Sequence, residues 1–175
     1  GTILDRGIPV VSNQVQYSLV DRRPEVAMTE LCRRRGVLLL TYGTFAGGLF
    51  AEKYLRRPQP GRGELTTASL QKYKRMIDAW GGWALFQGLL ESLAAIARKH
   101  GATIASVAAR AVLDRPAVGG VIIGVRFGES EHIADNARVF DLVLDAEDLA
   151  RIDAATATSR VLFRAIGDCG DGYRG

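Results

Sequence analysis

The chain has 175 residues, 47% hydrophobic and 24% charged, with a formal net charge of +4. That balance suits one globular domain with a real core and excludes a disordered chain. No apolar run approaches the roughly 18 residues of a membrane span, and no amino-terminal stretch reads as a signal peptide, so no membrane partner is expected and the location is expected to be cytoplasmic. The first residue is Gly1 rather than Met, which reads as processing or as excision from something longer. Cys32 and Cys169 make no disulfide framework and have no metal-ligand spacing, so both are expected as reduced thiols. The basic clusters Arg33-Arg34-Arg35, Arg56-Arg57 and Lys72-Tyr73-Lys74-Arg75 read as solvated surface. No aromatic interleaving gives them a nucleic-acid face, so no nucleic-acid partner is expected, and an anionic small molecule suits the charge better.

In chain order, residues 8–19 (IPVVSNQVQYSL) are rich in β-branched residues and predict a strand. Pro24 opens a helix through Arg35, with Val26, Leu31 and Cys32 expected to face inward, and Gly36 stops it. Residues 37–42 (VLLLTY) form an unbroken apolar run, the pattern of a parallel strand covered on both faces. It runs into Gly43-Thr44-Phe45-Ala46-Gly47-Gly48, a turn that needs small residues and free backbone geometry. Residues 56–66 form a loop. A helix is expected over 68–79, broken at Gly81-Gly82 and resumed from Trp83 to His100, where Gly101 ends it. Thr103 reads as the N-cap of a further helix that Pro116 terminates. A third strand is expected over 119–124, then a helix over 130–139. Asp145 caps the last helix, with Asp148 in the capping-box position. The tail from Ser159 reads as turn-rich; Asp168 to Gly172 lacks the alternate carboxylates and the late glutamate of a calcium loop.

Strands alternating with helices predict a parallel α/β fold. Three strands leave two open edges, and a closed (β/α)₈ barrel takes roughly 250 residues, so the expected architecture is a partial TIM barrel, its last three strands and their helices. The chemistry of such folds sits at the carboxyl ends of the strands. Here those exits carry Asn13-Gln14, then Tyr42 with its glycine turn, then Gly124-Val125-Arg126. Backbone N–H groups beside a guanidinium and a helix start suit a phosphate.

The motifs NQVQYSLVDRR, LLLTYGTFAGGLFAEKY and VIIGVRFGESEHIADN together resemble the carboxyl-terminal half of the aldo-keto reductase family. The likeness runs over essentially the whole chain, taken as one carboxyl-terminal portion of a single barrel domain. It implies that NADP(H) is the cofactor and a small carbonyl compound the substrate. It implies that Gln14 holds the nicotinamide carboxamide, that Tyr42 stacks on the nicotinamide, and that Gly43, Thr44, Phe45 and Gly47 line the pyrophosphate. Gly124 and Arg126 then sit at the third exit, with Arg126 on the adenosine 2′-phosphate, His132 near it and Asn136 at the adenine edge. Departures from the family pattern are Thr44 and Ile123 in place of common prolines and Glu52 in place of a common glycine. The stretch between Arg126 and Asn136 is also longer than in many members.

Taken one at a time, these residues have plain structural readings. Tyr42 is equally a half-buried aromatic, Gln14 a satisfied polar residue and Arg126 a surface arginine. His100 fits a helix terminus, while Tyr17 and Tyr54 read as packing. The resemblance implies a Tyr, Lys, Asp and His acid–base set on earlier strands, so catalytic residues are expected in a missing amino-terminal half and none in this stretch. Three hypotheses follow: an NADPH-dependent carbonyl reductase represented by its cofactor-binding half, a non-catalytic dinucleotide-binding module, and an inactive truncated product.

Overall fold

The computed structural model describes residues 2–125 and 132–169. Its centre is a parallel sheet in the order β1 (Ser12–Gln16), β2 (Leu38–Tyr42), β3 (Val118–Val121). Ser12 pairs with Leu38, Gln14 with Leu40 and Gln16 with Tyr42, while a bulge between Leu39 and Leu40 shifts the register against β3. All three strands therefore end on the same side. Each strand is shorter than the sequence suggests, although Val11, Tyr17 and Ile122 just beyond the strand ends each keep one backbone hydrogen bond to β2.

Eight helices among the described residues surround it: α1 (Thr2–Asp5), α2 (Met28–Arg35), α3 (Ala68–Trp80), α4 (Gly82–His100), α5 (Ile104–Leu113), α6 (Ile133–Ala137), α7 (Ala146–Thr156) and α8 (Leu162–Ile166). Their ends follow local chemistry. Pro24 begins a 3₁₀ turn over Arg23–Val26 ahead of α2, and Gly36 closes α2 in the left-handed region at φ 68°. The Thr67 hydroxyl accepts the Leu70 N–H at the start of α3, and the Thr103 hydroxyl accepts that of Ser106 at the start of α5. The Glu52 carboxylate also accepts the Ile104 N–H at 2.7 Å. A glycine there could not make that bond, so this departure from the family pattern ties the loop after β2 to α5.

The main core lies outside the sheet, where Trp80, Phe86, Leu89, Leu90, Leu93 and Ile104 are almost completely buried. α4 packs on α5 and α7 there. A smaller cluster of Val15, Cys32, Val37 and Leu39 seats α2 against the sheet. Two expectations need correction. β2 is not covered on both faces: Leu39 is fully buried but Leu38 is 48% exposed, since only the outward face meets the described helices. Val26 is exposed, because the chain makes a 3₁₀ turn there and the α-helical face begins only at Met28. Over residues 159–169 the tail holds more regular structure than its composition suggests. The Arg160 N–H donates to the Trp80 carbonyl at 2.7 Å, and α8 follows with Leu162 buried in the core.

Asp148 joins α4 to α7. Its carboxylate closes the capping box with Asp145 and accepts from Lys99 at 2.9 Å, and it lies 2.7 Å from His100 Nε2. His100 thus has a side-chain partner beyond the helix terminus. Burial pushes the Asp148 carboxyl up, but the Lys99, His100 and Asp145 hydrogen bonds outweigh it and bring it down to about 2. A depressed carboxylate stabilises the fold above its unfolded pKa and loses that contribution as pH falls through the folded one. Acid unfolding should therefore show a loss of stability as pH falls from about 4 to about 2. Asp148→Asn should cost about 1–2 kcal/mol at neutral pH, read as a lower denaturant midpoint, and should flatten that acid limb.

Candidate cofactor site

The carboxyl ends of β1 and β2 are joined by short bonds. The Tyr17 N–H donates to the Tyr42 carbonyl at 3.1 Å, and the buried Thr44 hydroxyl donates to the Tyr17 carbonyl at 3.1 Å. Threonine at this position therefore serves as a strut between the two exits. Beyond it the chain turns tightly, with Gly43 at φ 72°, Ala46 at 48°, Gly47 at 66° and Gly48 at 97°. The N–H of Ala46 donates to the Gly43 carbonyl and that of Gly48 to the Phe45 carbonyl, both at 2.9 Å.

Glycine is required in this turn for space as well as for φ. A Cβ on Gly43 would overlap the Tyr73 hydroxyl and lie 2.8 Å from its Cζ. A Cβ on Gly47 would lie 2.8 Å from both Ser69 Oγ and Tyr73 Cδ2. The turn is thus moulded onto α3. Ala46 is itself left-handed and buried, a strain of about 1 kcal/mol that the packing sustains.

A cavity of about 860 Å³ opens at these exits, and Gln14, Gln16, Tyr42, Lys72, Arg75 and Cys169 are on its wall. Gln14 and Gln16 are two apart on β1, and Gln16 is level with Tyr42, so strand alternation puts all three on one face. Gln14 is exposed and Tyr42 half-buried. Gln16 is buried and committed: its Nε2 donates to Asp21 at 2.6 Å and to the Met76 sulfur at 3.1 Å. Lys72 Nζ lies 5.7 Å from the centre of the Tyr42 ring and 5.2 Å from that of Tyr73, within cation–π reach of both.

The far wall is pinned by a buried ion pair. Arg23 Nε and NH2 each contact Asp21 at 2.8 Å, while NH1 donates to the carbonyls of Gly167 and Asp168. The tail is thereby drawn against β1, and Cys169 joins the cavity lining. Burial, with the Asp21 charge nearby, pushes the Cys169 thiol up to about 11, so it is a neutral wall group near neutral pH. Tyr17 is also spoken for. Its hydroxyl donates to Glu25 at 2.7 Å, and burial drives its pKa well above the usual range.

The cavity thus brings together Gln14 and Tyr42, with Gly43, Thr44, Phe45 and Gly47 in the adjoining turn. Gly43, Thr44, Phe45 and Gly47 follow Tyr42 in the chain but are not on that wall, and neither are Gly124, His132 and Asn136. Gly124 lies three residues past the end of β3 and is exposed. His132 is exposed at the start of α6, with Nδ1 3.8 Å from Asp135, and Asn136 is half-buried within α6. Arg126 lies outside the described residues. Sequence reasoning missed Lys72, Arg75 and the tail as cavity walls. It read Lys72-Tyr73-Lys74-Arg75 as surface, yet Tyr73 and Lys74 are buried, with Lys74 paired to Asp78 at 2.6 Å. The spacing of buried positions along α3 was the available signal.

Residues 3–157 match the model of the aldo/keto reductase family. Flagellar radial spoke protein 5 of Chlamydomonas reinhardtii is 33% identical over 113 residues, 63% of this chain and 21% of that protein. The holo form of an aldo-keto reductase from Bacillus halodurans superposes with a TM-score of 0.61 at 25% identity, covering 91% of this chain and 46% of that one. An aldo/keto reductase from Klebsiella pneumoniae in complex with NADP and acetate gives 0.52 at 21% identity, over 82% of this chain and 38% of that one. The chain spans less than half the length of each.

The glycine turn yields a stability test. Gly43→Ala should cost about 2 kcal/mol or more, from a left-handed φ combined with the Tyr73 overlap. Gly7→Ala, with a positive φ but open space around it, should cost only about 1 kcal/mol. Denaturant titration of the two variants measures the difference, and adding Tyr73→Ala to Gly43→Ala should recover part of the loss.

Proposed function

This chain belongs to the aldo/keto reductase family, and from that premise we propose that it is the cofactor-binding portion of an NADP(H)-dependent oxidoreductase acting on aldehydes or ketones. The observation that carries the reading is the cavity lined by Tyr42 and Gln14, with the glycine turn following Tyr42 in the chain. A half-buried aromatic face, an exposed amide beside it and a run of left-handed backbone are the groups a nicotinamide dinucleotide needs. Their fit rests on this chemistry and on the cavity's size, which lies within the usual range for small-molecule sites, roughly 300–1,000 Å³. The Klebsiella pneumoniae relative is described as bound to NADP, which supports the same choice.

When bound, the cofactor supplies hydride to the carbonyl carbon. Residues of this chain bind and orient. Gln14 offers both a donor and an acceptor to a carboxamide. Tyr42 offers a flat face that fixes which side of the nicotinamide is open to substrate. The turn over Gly43, Thr44, Phe45 and Gly47 lets backbone approach a pyrophosphate that side chains would hold off. Arg126, with His132 close to it in sequence, is the proposed partner of the 2′-phosphate; Gly124 is its strand exit and Asn136 the reader of the adenine edge. The general acid is assigned to the Tyr, Lys, Asp and His set of an amino-terminal half, with which this portion would complete the (β/α)₈ barrel. A cytoplasmic location goes with that reading; among the described residues no helix is long and apolar enough to cross a membrane.

NADPH titration of the full protein, followed by nucleotide fluorescence, tests this. Tyr42→Ala and Gln14→Ala should each weaken binding about tenfold, equivalent to about 1.4 kcal/mol. Arg126→Glu should weaken NADPH and leave NADH nearly unchanged. Absence of binding by the unmodified protein would remove the proposal.

A further inference from the structure

Gln16 is only 4% exposed, yet it lines the cavity. Its side-chain amide is held in one orientation by its neighbours. Nε2 donates to Asp21 Oδ2 at 2.6 Å and to the Met76 sulfur at 3.1 Å. A carboxylate ion-paired to Arg23 accepts and does not donate, and a thioether sulfur likewise only accepts. Both neighbours therefore require the amide nitrogen on their side and turn the oxygen the other way. Among the described residues Gln16 Oε1 accepts from no protein group, while no fully buried side-chain oxygen is left without a partner. The oxygen is thus reached from the cavity that Gln16 lines.

We propose that Gln16 Oε1 is a fixed hydrogen-bond acceptor that selects ligands carrying an N–H or O–H donor, which makes Gln16 a specificity-determining residue of the cavity. The inference rests on the cofactor and carbonyl-reducing readings and adds a rule of polarity to them. Both N–H groups of the amide are spent inside the protein, so it accepts from a ligand and donates nothing to it. A ligand carbonyl or ether oxygen placed there would set lone pair against lone pair, and a methyl group would leave the acceptor unpaired. Two groups can supply the donor. Gln16 is level with Tyr42 and shares a strand face with Gln14, so a nicotinamide on the Tyr42 ring brings its carboxamide N–H groups to that face. A hydroxyl beside the carbonyl of a substrate offers the same chemistry. Asp21 and Arg23 act through Gln16 as positioning residues: Arg23 holds the carboxylate, and the carboxylate keeps the amide from flipping.

The test compares ligands that differ in one donor, using the full protein, Gln16→Met and Met76→Leu, each checked for folding by a melting curve. NADP+ is titrated against its acetylpyridine analogue, in which a methyl group replaces the amide nitrogen. With NADPH bound, reduction of lactaldehyde is compared with that of propanal, which lacks the hydroxyl. The full protein should favour the donor-bearing member of at least one pair about tenfold. Gln16→Met should abolish that preference, and Met76→Leu, which leaves Oε1 and the Asp21 contact in place, should keep it. A Gln16-dependent preference in the first pair assigns the donor to the cofactor carboxamide, and one in the second assigns it to a substrate hydroxyl. No preference in either pair, a preference unchanged in Gln16→Met, or one lost equally in Met76→Leu overturns the proposal. The carbon-13 signal of the Gln16 side-chain carbonyl, read in the full protein, needs no variant. It should move on adding the preferred ligand and stay with the donor-free counterpart; a signal unmoved by NADP+ and by lactaldehyde overturns the proposal as well. Any of those results in a protein that binds NADP+ leaves the cofactor reading standing, whereas absence of NADP+ binding removes both.

Discussion

The contact between the Tyr73 ring and the backbone of Gly43 and Gly47 holds the site together. It leaves no room for a side chain on either glycine, and so fixes how closely α3 approaches the end of β2. Everything on the cavity side of α3 takes its place from that contact. Lys72 comes over the Tyr42 ring, Met76 comes under the Gln16 amide, and Arg75 reaches the cavity wall. The strained backbone at Ala46 is sustained by the same packing. A turn of this shape in free solution would sample many conformations; pressed against a buried aromatic, it has one.

A second constraint closes the other side. Asp21 and Arg23 are almost wholly buried as an ion pair, with Gln16 donating to the same carboxylate. Breaking such a pair from one side typically costs about 3–5 kcal/mol, because the remaining charge stays buried without compensation. Its structural use here is reach. Arg23 extends from the β1 exit to the carbonyls of Gly167 and Asp168, sequence positions far apart, and makes the tail a wall of the cavity. Two short-range contacts and two parallel strand ends therefore suffice to shape the site.

Much of this architecture can be read from sequence, for identifiable reasons. Helix ends at Thr103, Asp145 and Gly36 depend on neighbours within a few residues, and the structure places them as expected. Tyr42 and the glycine turn fall at the β2 exit as the sequence suggests, whereas Gln14 lies mid-strand in β1, level with Leu40. What the sequence hides are contacts between distant segments. Nothing local marks Arg23 as buried or links it to Gly167, or gives Glu52 a partner at Ile104. The run Lys72 to Arg75 looks uniformly solvated, yet successive positions on one helix point in different directions. The exposed side of β2 is a similar case: an apolar run signals burial, but which face is covered depends on the rest of the fold.

The account stands on a nicotinamide dinucleotide lying across the β1 and β2 exits. The most direct measurement is an NMR titration of the isotopically labelled protein with NADP+. Saturable shifts of the Gln14 side-chain amide and of the Thr44, Phe45 and Gly47 backbone amides, with those of α5 unmoved, are the predicted result. Saturable binding that shifts other residues and leaves these still would contradict it.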